Sequence, residues 1–235
     1  MNNLQSLSFY LPELTLTIVI LAAIIYDLFI DKSKSYRVGW ILCFGLTIVS
    51  FLIWKQGNNI TTLFTDAIVL DPFSSFFKQL IILSTILICI VSLISKELAD
   101  YRKGEYFALL GIITFGLFMM VSAIDLIILY ISIEIVSIMS FVLAGYLKKD
   151  TFSNEASLKY VLYGALSSGI MLFGLSYIYG LTGSTNFFVI QNTISGLDES
   201  SNTILLLSMI MILTGFGYKI SAVPFHMWTP DVYEG

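Results

Sequence analysis

The sequence predicts an all-α, polytopic membrane protein with about seven transmembrane helices, on three observations. Of its 235 residues, 57% are apolar and only 12% charged, against about 25% charged in a soluble domain. The mean hydropathy of +0.89 belongs to a chain with more apolar surface than a core of this size encloses, so lipid is its solvent. The third observation is spacing, with seven apolar runs of about 17 to 25 residues, the length that crosses a hydrocarbon core. Backbone in lipid must satisfy its own hydrogen bonds, so each run is helical despite its Ile and Val content. The alternating polarity of a membrane β-barrel is absent.

The first run, Pro12 to Ile30, opens with Glu13 in place of a basic leader and shows no small-residue cleavage site, so it reads as a persistent helix. The second spans Val38 to Trp54. The third, Phe73 to Ile94, contains Lys78, which lies about 9 Å in from Pro72 and is expected to snorkel to the outer interface. The fourth and fifth cover Tyr106 to Ala123 and Leu126 to Leu147, and the sixth runs from Ala156 to Gly180. The connector from Thr182 to Asn202 is mixed polar and aromatic and is expected to run along the interface. The seventh run, Thr203 to Val223, is interrupted near Gly215–Pro224, where two glycines weaken the helix and a proline removes a backbone hydrogen bond.

Loop charge orients these helices. Connectors one, three and five carry Lys32, Lys34, Arg37, Lys96, Arg102, Lys103, Lys148 and Lys149, while the others carry only Lys55. Eight against one places the amino terminus outside and the odd-numbered loops in the cytoplasm. Asp66, Asp71, Asp198 and Glu199 fall in the outer loops. With no repeat or linker, residues 1–235 read as a single transmembrane domain, and the dense ending HMWTPDVYEG reads as a fragment of a longer chain. A net charge of −4 without a basic cluster argues against a nucleic-acid partner. Cys43 and Cys89 sit in apolar runs as small hydrophobes. With one histidine, no cysteine cluster and no G-x-G-x-x-G, no metal, haem, iron–sulfur or dinucleotide site is expected in the chain itself.

The candidate site residues are charges inside the membrane, which are costly and face a bundle interior or a water path. Glu134 lies in DLIILYISIEIVSIMSF, with Tyr130, Ser137 and Phe141 on its helical face. It is either a proton carrier or a protonated acid bonded to a neighbouring helix. Glu155, Lys159, Tyr163 and Ser167 recur every four residues as one polar stripe, with Lys159 either functional or in an ion pair at the cytoplasmic helix end. Lys219, in ILTGFGYKISAVPFHMW, stands at the interrupted helix, a feature that marks ion sites in transporters. His226 follows Pro224 as a hydrogen-bonded helix-end residue or a proton relay. Counted from the outer helix ends, Glu134 and Lys219 lie about 12 Å and about 24 Å deep, so pairing them needs tilt, an unwound turn or the reach of the lysine stem.

The segments GFGYKISAVPFHMWTPDVYEG, LPELTLTIVILAAIIYDLF, DPFSSFFKQLIILST, ISIEIVSIMSFVLAGY and EASLKYVLYGALSSGIMLFGLSYIYGLTGS resemble the antiporter-like membrane subunits of respiratory complex I. The resemblance covers essentially the whole chain and rests most specifically on WTPDVYEG and EASLKY. It implies an inverted-repeat antiporter-like fold of roughly fourteen helices, with 1–104 as the first three helices and 105–235 as part of the first repeat. It implies a proton-translocating subunit of NADH:quinone oxidoreductase in a bacterial inner membrane, working beside other membrane-arm subunits. NADH, FMN, iron–sulfur clusters and quinone would then be bound on those partners. By the same resemblance Glu134 and Lys219 are the paired fifth- and seventh-helix residues, and Lys159 is the sixth-helix base. The family's later lysines, in its eighth and twelfth helices, have no counterpart here. A sodium/proton antiporter subunit is the alternative, since it shares the fold and charge pattern.

Overall fold

The computed structural model describes residues 3–57, 60–95, 98, 101–198 and 201–234. Lys96 and Glu199, counted among the loop charges, lie outside the described residues. The chain divides into two compact units, Met1–Ala123 and Ile124–Gly235. Among the described residues, seven helices are long and apolar enough to cross a membrane.

The first unit runs α1 (Asn3–Phe9), α2 (Leu11–Phe29), α3 (Arg37–Gln56), β1 (Thr61–Leu63), β2 (Ile68–Leu70), α4 (Pro72–Ile94) and α5 (Lys103–Ser122). Helices α2, α3, α4 and α5 pack around Leu16, Leu42, Leu46, Phe107 and Phe118, all fully buried. Their outer faces present Leu28, Phe29, Trp54 and Ile94, as a lipid-facing surface requires. Helix α4 starts on a capping box in which Asp71 accepts the Ser74 N–H at 2.7 Å and Ser74 Oγ accepts the Asp71 N–H at 3.2 Å.

A short antiparallel hairpin, with Thr61 opposite Leu70 and Leu63 opposite Ile68, was not expected from the sequence. Its strands of three residues are too short to show alternation, and its turn takes left-handed backbone at Phe64, Thr65 and Asp66. The hairpin and α1 cover one end of the bundle. Strand β2 packs on α4 and α5, β1 packs on α1, Phe64 N–H donates to Ser6 Oγ, and Gln56 Nε2 donates to the Phe9 carbonyl.

This cover corrects the expectation for Lys78. Its side chain does not snorkel outward; it is 2% exposed and donates to Glu13 Oε1 at 2.5 Å. With the bundle end occupied by α1 and the hairpin, the nearest anion is on α2. Arg102 is likewise engaged, with its Nε 2.8 Å from Asp27 Oδ2 and a second guanidinium nitrogen on the Ile30 carbonyl.

The second unit comprises α6 (Leu126–Ala144), α7 (Thr151–Thr182), α8 (Phe187–Ile194), α9 (Asn202–Lys219) and α10 (Thr229–Glu234). Asp125 caps α6 by accepting the Ile127 and Ile128 N–H groups and takes the Thr185 hydroxyl as well. Helix α7 ends at Gly183, whose φ of 68° lets its N–H return to the Tyr179 carbonyl at 2.7 Å. Helix α7 packs along both α6 and α9. The α7–α9 approach depends on Gly215, where a Cβ would collide with Met171. The connector read as interfacial contains α8, capped by Asn186. Gly215 and Gly217 stay helical, so the break in the seventh span falls after them. Helix α9 stops at Lys219, Ser221 turns with φ 55°, and helix resumes at Thr229.

Candidate functional site

The structure brings Glu134, Ser137, Ser168 and Lys219 together, from α6, α7 and α9. Lys219 is the last residue of α9, and a helical side chain leans toward its own helix N-terminus, which carries Nζ back along α9. The depth difference counted from sequence is spanned by the lysine stem, whose Nζ reaches Ser137 of α6 and Ser168 of α7.

Lys219 Nζ lies 3.5 Å from Glu134 Oε1, with the two side chains 14% and 20% exposed. That separation is long for a hydrogen bond. Ser168 bridges it: its hydroxyl donates to Glu134 Oε1 at 2.6 Å and accepts from Lys219 Nζ at 3.0 Å. Lys219 also donates to Ser137 Oγ at 2.7 Å and stands 5.8 Å from the centre of the Phe141 ring. Ser137 and Phe141 therefore do share the Glu134 face, as their spacing implied. Tyr130, one turn before Glu134, instead lines an apolar cavity of about 440 Å³ with Leu126, Leu172 and Tyr179. Ser168 was not singled out from the sequence, because it falls one residue outside the Glu155–Lys159–Tyr163–Ser167 stripe.

The structure does not bring Lys159 to this cluster. It lies nine residues before Ser168 on α7, about 13 Å along the helix axis. Its ammonium is held between Glu155 at 2.8 Å and Asp231 of α10 at 2.6 Å. Asp231, within TPDVYE, is a partner that sequence reasoning missed, since the turn between α9 and α10 had to be known first. That turn is built by Trp228, which stacks on Tyr160 at 4.7 Å and Tyr218 at 5.0 Å and donates Nε1–H to the Tyr218 carbonyl. Ser167 donates to the Gly215 carbonyl at 3.4 Å, and Tyr163 is exposed. His226 is exposed in the same turn, its carbonyl accepting the Thr229 N–H. Among the described residues no group of three His, Cys, Asp or Glu gathers to hold a metal ion. Cys43 and Cys89 are buried free thiols.

Seven apolar spans, a seventh helix broken beside a lysine, and a carboxylate–serine–lysine cluster facing it define a class, that of multi-pass membrane proteins with a buried ionisable site between helices. Residues 123–235 match the family described as "NADH:quinone oxidoreductase/Mrp antiporter, TM". Nearly its whole length is similar to NADH-quinone oxidoreductase subunit N. It is 42% identical over 232 residues to subunit N 2 of Chloroherpeton thalassium, covering 97% of this chain and 45% of that one. It is 39% identical over 244 residues to subunit N of an Anaeromyxobacter species, covering 100% and 47%. The chain thus spans about half the length of these curated relatives. Its fold matches a chain in the structure of respiratory complex I from Thermus thermophilus with bound aureothin, with a TM-score of 0.77, 23% identity, and coverage of 95% of this chain and 47% of that one.

Proposed function

We propose that this chain is a proton-translocating membrane-arm subunit of an NADH:quinone oxidoreductase in a bacterial inner membrane. In this reading the amino terminus faces outward, the odd-numbered loops are cytoplasmic, and residues 105–235 form part of an inverted repeat. NADH, FMN, iron–sulfur clusters and quinone act on other subunits, and this chain moves protons. The observation that carries the reading is the Glu134–Ser168–Lys219 chain of hydrogen bonds beside a helix break. Lys219 can pass a proton to Ser168 Oγ while Ser168 passes its own to Glu134, leaving a neutral amine and a neutral acid. Reversal restores the ion pair, and both states keep the serine hydrogen-bonded. The carbonyls released at the end of α9 are taken up within the turn, Phe216 by the Ile220 N–H, Gly217 by the Ala222 N–H and Tyr218 by the Ser221 N–H and the Trp228 indole, so the break is held in place beside Lys219.

Lys159 is assigned as the next base along α7, with Glu155 and Asp231 as the carboxylates that set its position, Tyr130 as the outward neighbour of Glu134, and His226 as an exposed relay in the α9–α10 turn. A sodium/proton antiporter subunit, the alternative carried by the family description, fits less well, since a resident ammonium 3.5 Å from the sole carboxylate of the cluster repels a second cation. The test uses the full complex in membrane vesicles with NADH as electron donor and a pH-sensitive dye inside. Lys219→Met is expected to assemble and to lose proton translocation. Translocation equal to the unmodified complex would overturn the reading, and sodium-dependent exchange without NADH would install the alternative.

A further inference from the structure

The first unit holds a buried carboxylate–ammonium pair that the mechanism above does not use. Glu13 and Lys78 are 2.5 Å apart with side chains only 5% and 3% exposed, against 20% and 14% for Glu134 and Lys219. Neither residue caps a helix: α4 is capped by Asp71 and Ser74, and α2 starts at Leu11–Pro12 without a side-chain cap. Buried ion pairs are often replaceable by apolar residues without loss of stability, so packing gives no reason for two charges here. An ammonium carries three donors. Among the described residues Lys78 finds one acceptor, Glu13, and the Phe118 ring at 5.9 Å. The direct contact at 2.5 Å gives a proton a short path between the ammonium and the carboxylate with no intervening atom. The other titratable group at the pair is Tyr10, three residues before Glu13, whose hydroxyl donates to Met119 Sδ. Burial, and then the Glu13 charge, push its phenol up, so it stays a neutral hydroxyl.

We infer that Glu13 and Lys78 form a second proton-exchange site, whose ligand is a proton arriving at the bundle end covered by α1 and the β1–β2 hairpin. The proton of Lys78 Nζ crosses to Glu13 Oε1, leaving amine and acid. The amine takes up one proton from solvent, and loss of the acid proton restores the ion pair, so one proton enters and one leaves. The inference deepens the proton-translocation reading and rests on it for the pumping assay alone.

The test compares Glu13→Gln/Lys78→Met with the unmodified full complex, scoring assembly in the membrane and proton translocation in vesicles, and adds infrared difference spectra across an acid step. The expected result is an assembled double variant that loses translocation. An assembled double variant that translocates protons at the unmodified rate overturns the inference. Should the double variant fail to assemble, Glu13→Asp decides: a carboxylic acid band, sensitive to deuterium, is expected in the unmodified protein and should shift in Glu13→Asp. A band that does not move, or none, overturns the inference. Lys219→Met serves as the separate control, because its normal pumping would defeat the translocation reading while leaving the infrared result to decide whether this pair exchanges a proton.

Discussion

Ser168→Ala isolates the bridge from the charges it joins. The substitution removes a hydroxyl that donates to Glu134 at 2.6 Å and accepts from Lys219 at 3.0 Å, while leaving the direct separation of 3.5 Å. Hydrogen bonds to charged groups contribute about 1.5–3 kcal/mol each, and the partial exposure of both partners argues for the low end. Loss of one such bond from the transfer step slows it roughly tenfold at about 1.4 kcal/mol and approaches a hundredfold at twice that. The helix α7 packing should tolerate the change, because Ala fits wherever Ser does. The assay is NADH-driven acidification or alkalinisation in vesicles containing the full complex, normalised to assembled complex. Translocation should fall while assembly holds, and Ser168→Thr, which restores a hydroxyl, should recover most of it. Wild-type translocation in Ser168→Ala, with Lys219→Met inactive in parallel, would show that the direct contact suffices and would refute the serine relay.

Three further outcomes follow from the same geometry. Trp228→Ala removes a buried indole stacked between Tyr160 and Tyr218 and should destabilise the α9–α10 turn by about 3–5 kcal/mol, seen as protease cleavage between Ile220 and Thr229 at concentrations that spare the unmodified protein. Gly215→Val drives a side chain into Met171 and should cost about 1–3 kcal/mol of packing, read as a lower Tm in detergent; an unchanged Tm would mean that α9 shifts freely on α7. In a background lacking Cys43 and Cys89, cysteines at Lys34, Arg102 and Lys149 should label only after permeabilisation and one at Asp198 from outside, and labelling of Lys34→Cys in intact cells would reverse the orientation read from loop charge.

The seven spans were legible because length and apolar composition are what a bilayer selects, and each helix was placed within a few residues of its span. The sixth helix begins earlier than its apolar run, at Thr151, because Asp150 caps it by accepting the Phe152 N–H. The hairpin and the short helices α1, α8 and α10 were invisible to a search for long apolar runs. Glu134 and Lys219 stood out as lone charges in apolar sequence, and that signal survives any error in depth. Ser168 did not stand out, because a serine beside small residues on a membrane helix reads as packing until its partners on α6 and α9 are known. Asp231 was hidden for a similar reason: its relation to Lys159 exists only through the turn that Trp228 holds.

Lys78 shows why depth along one helix is a poor guide to exposure. Seven residues into α4, it should reach water if the bundle end were open, but the end is covered and the anion lies on another helix. The same comparison separates the two ionisable pairs by access. Glu134 and Lys219 keep part of their surface and are joined through a hydroxyl, so a proton can enter the chain at a polar atom without moving a helix. Glu13 and Lys78 touch directly and are almost fully enclosed, so any proton exchanged with solvent must wait for the cover to open. The bonds that hold that cover include the Phe64 to Ser6 and Gln56 to Phe9 hydrogen bonds and the edge-on Tyr10–Phe64 ring pair, beside the packing of β2 on α4 and α5.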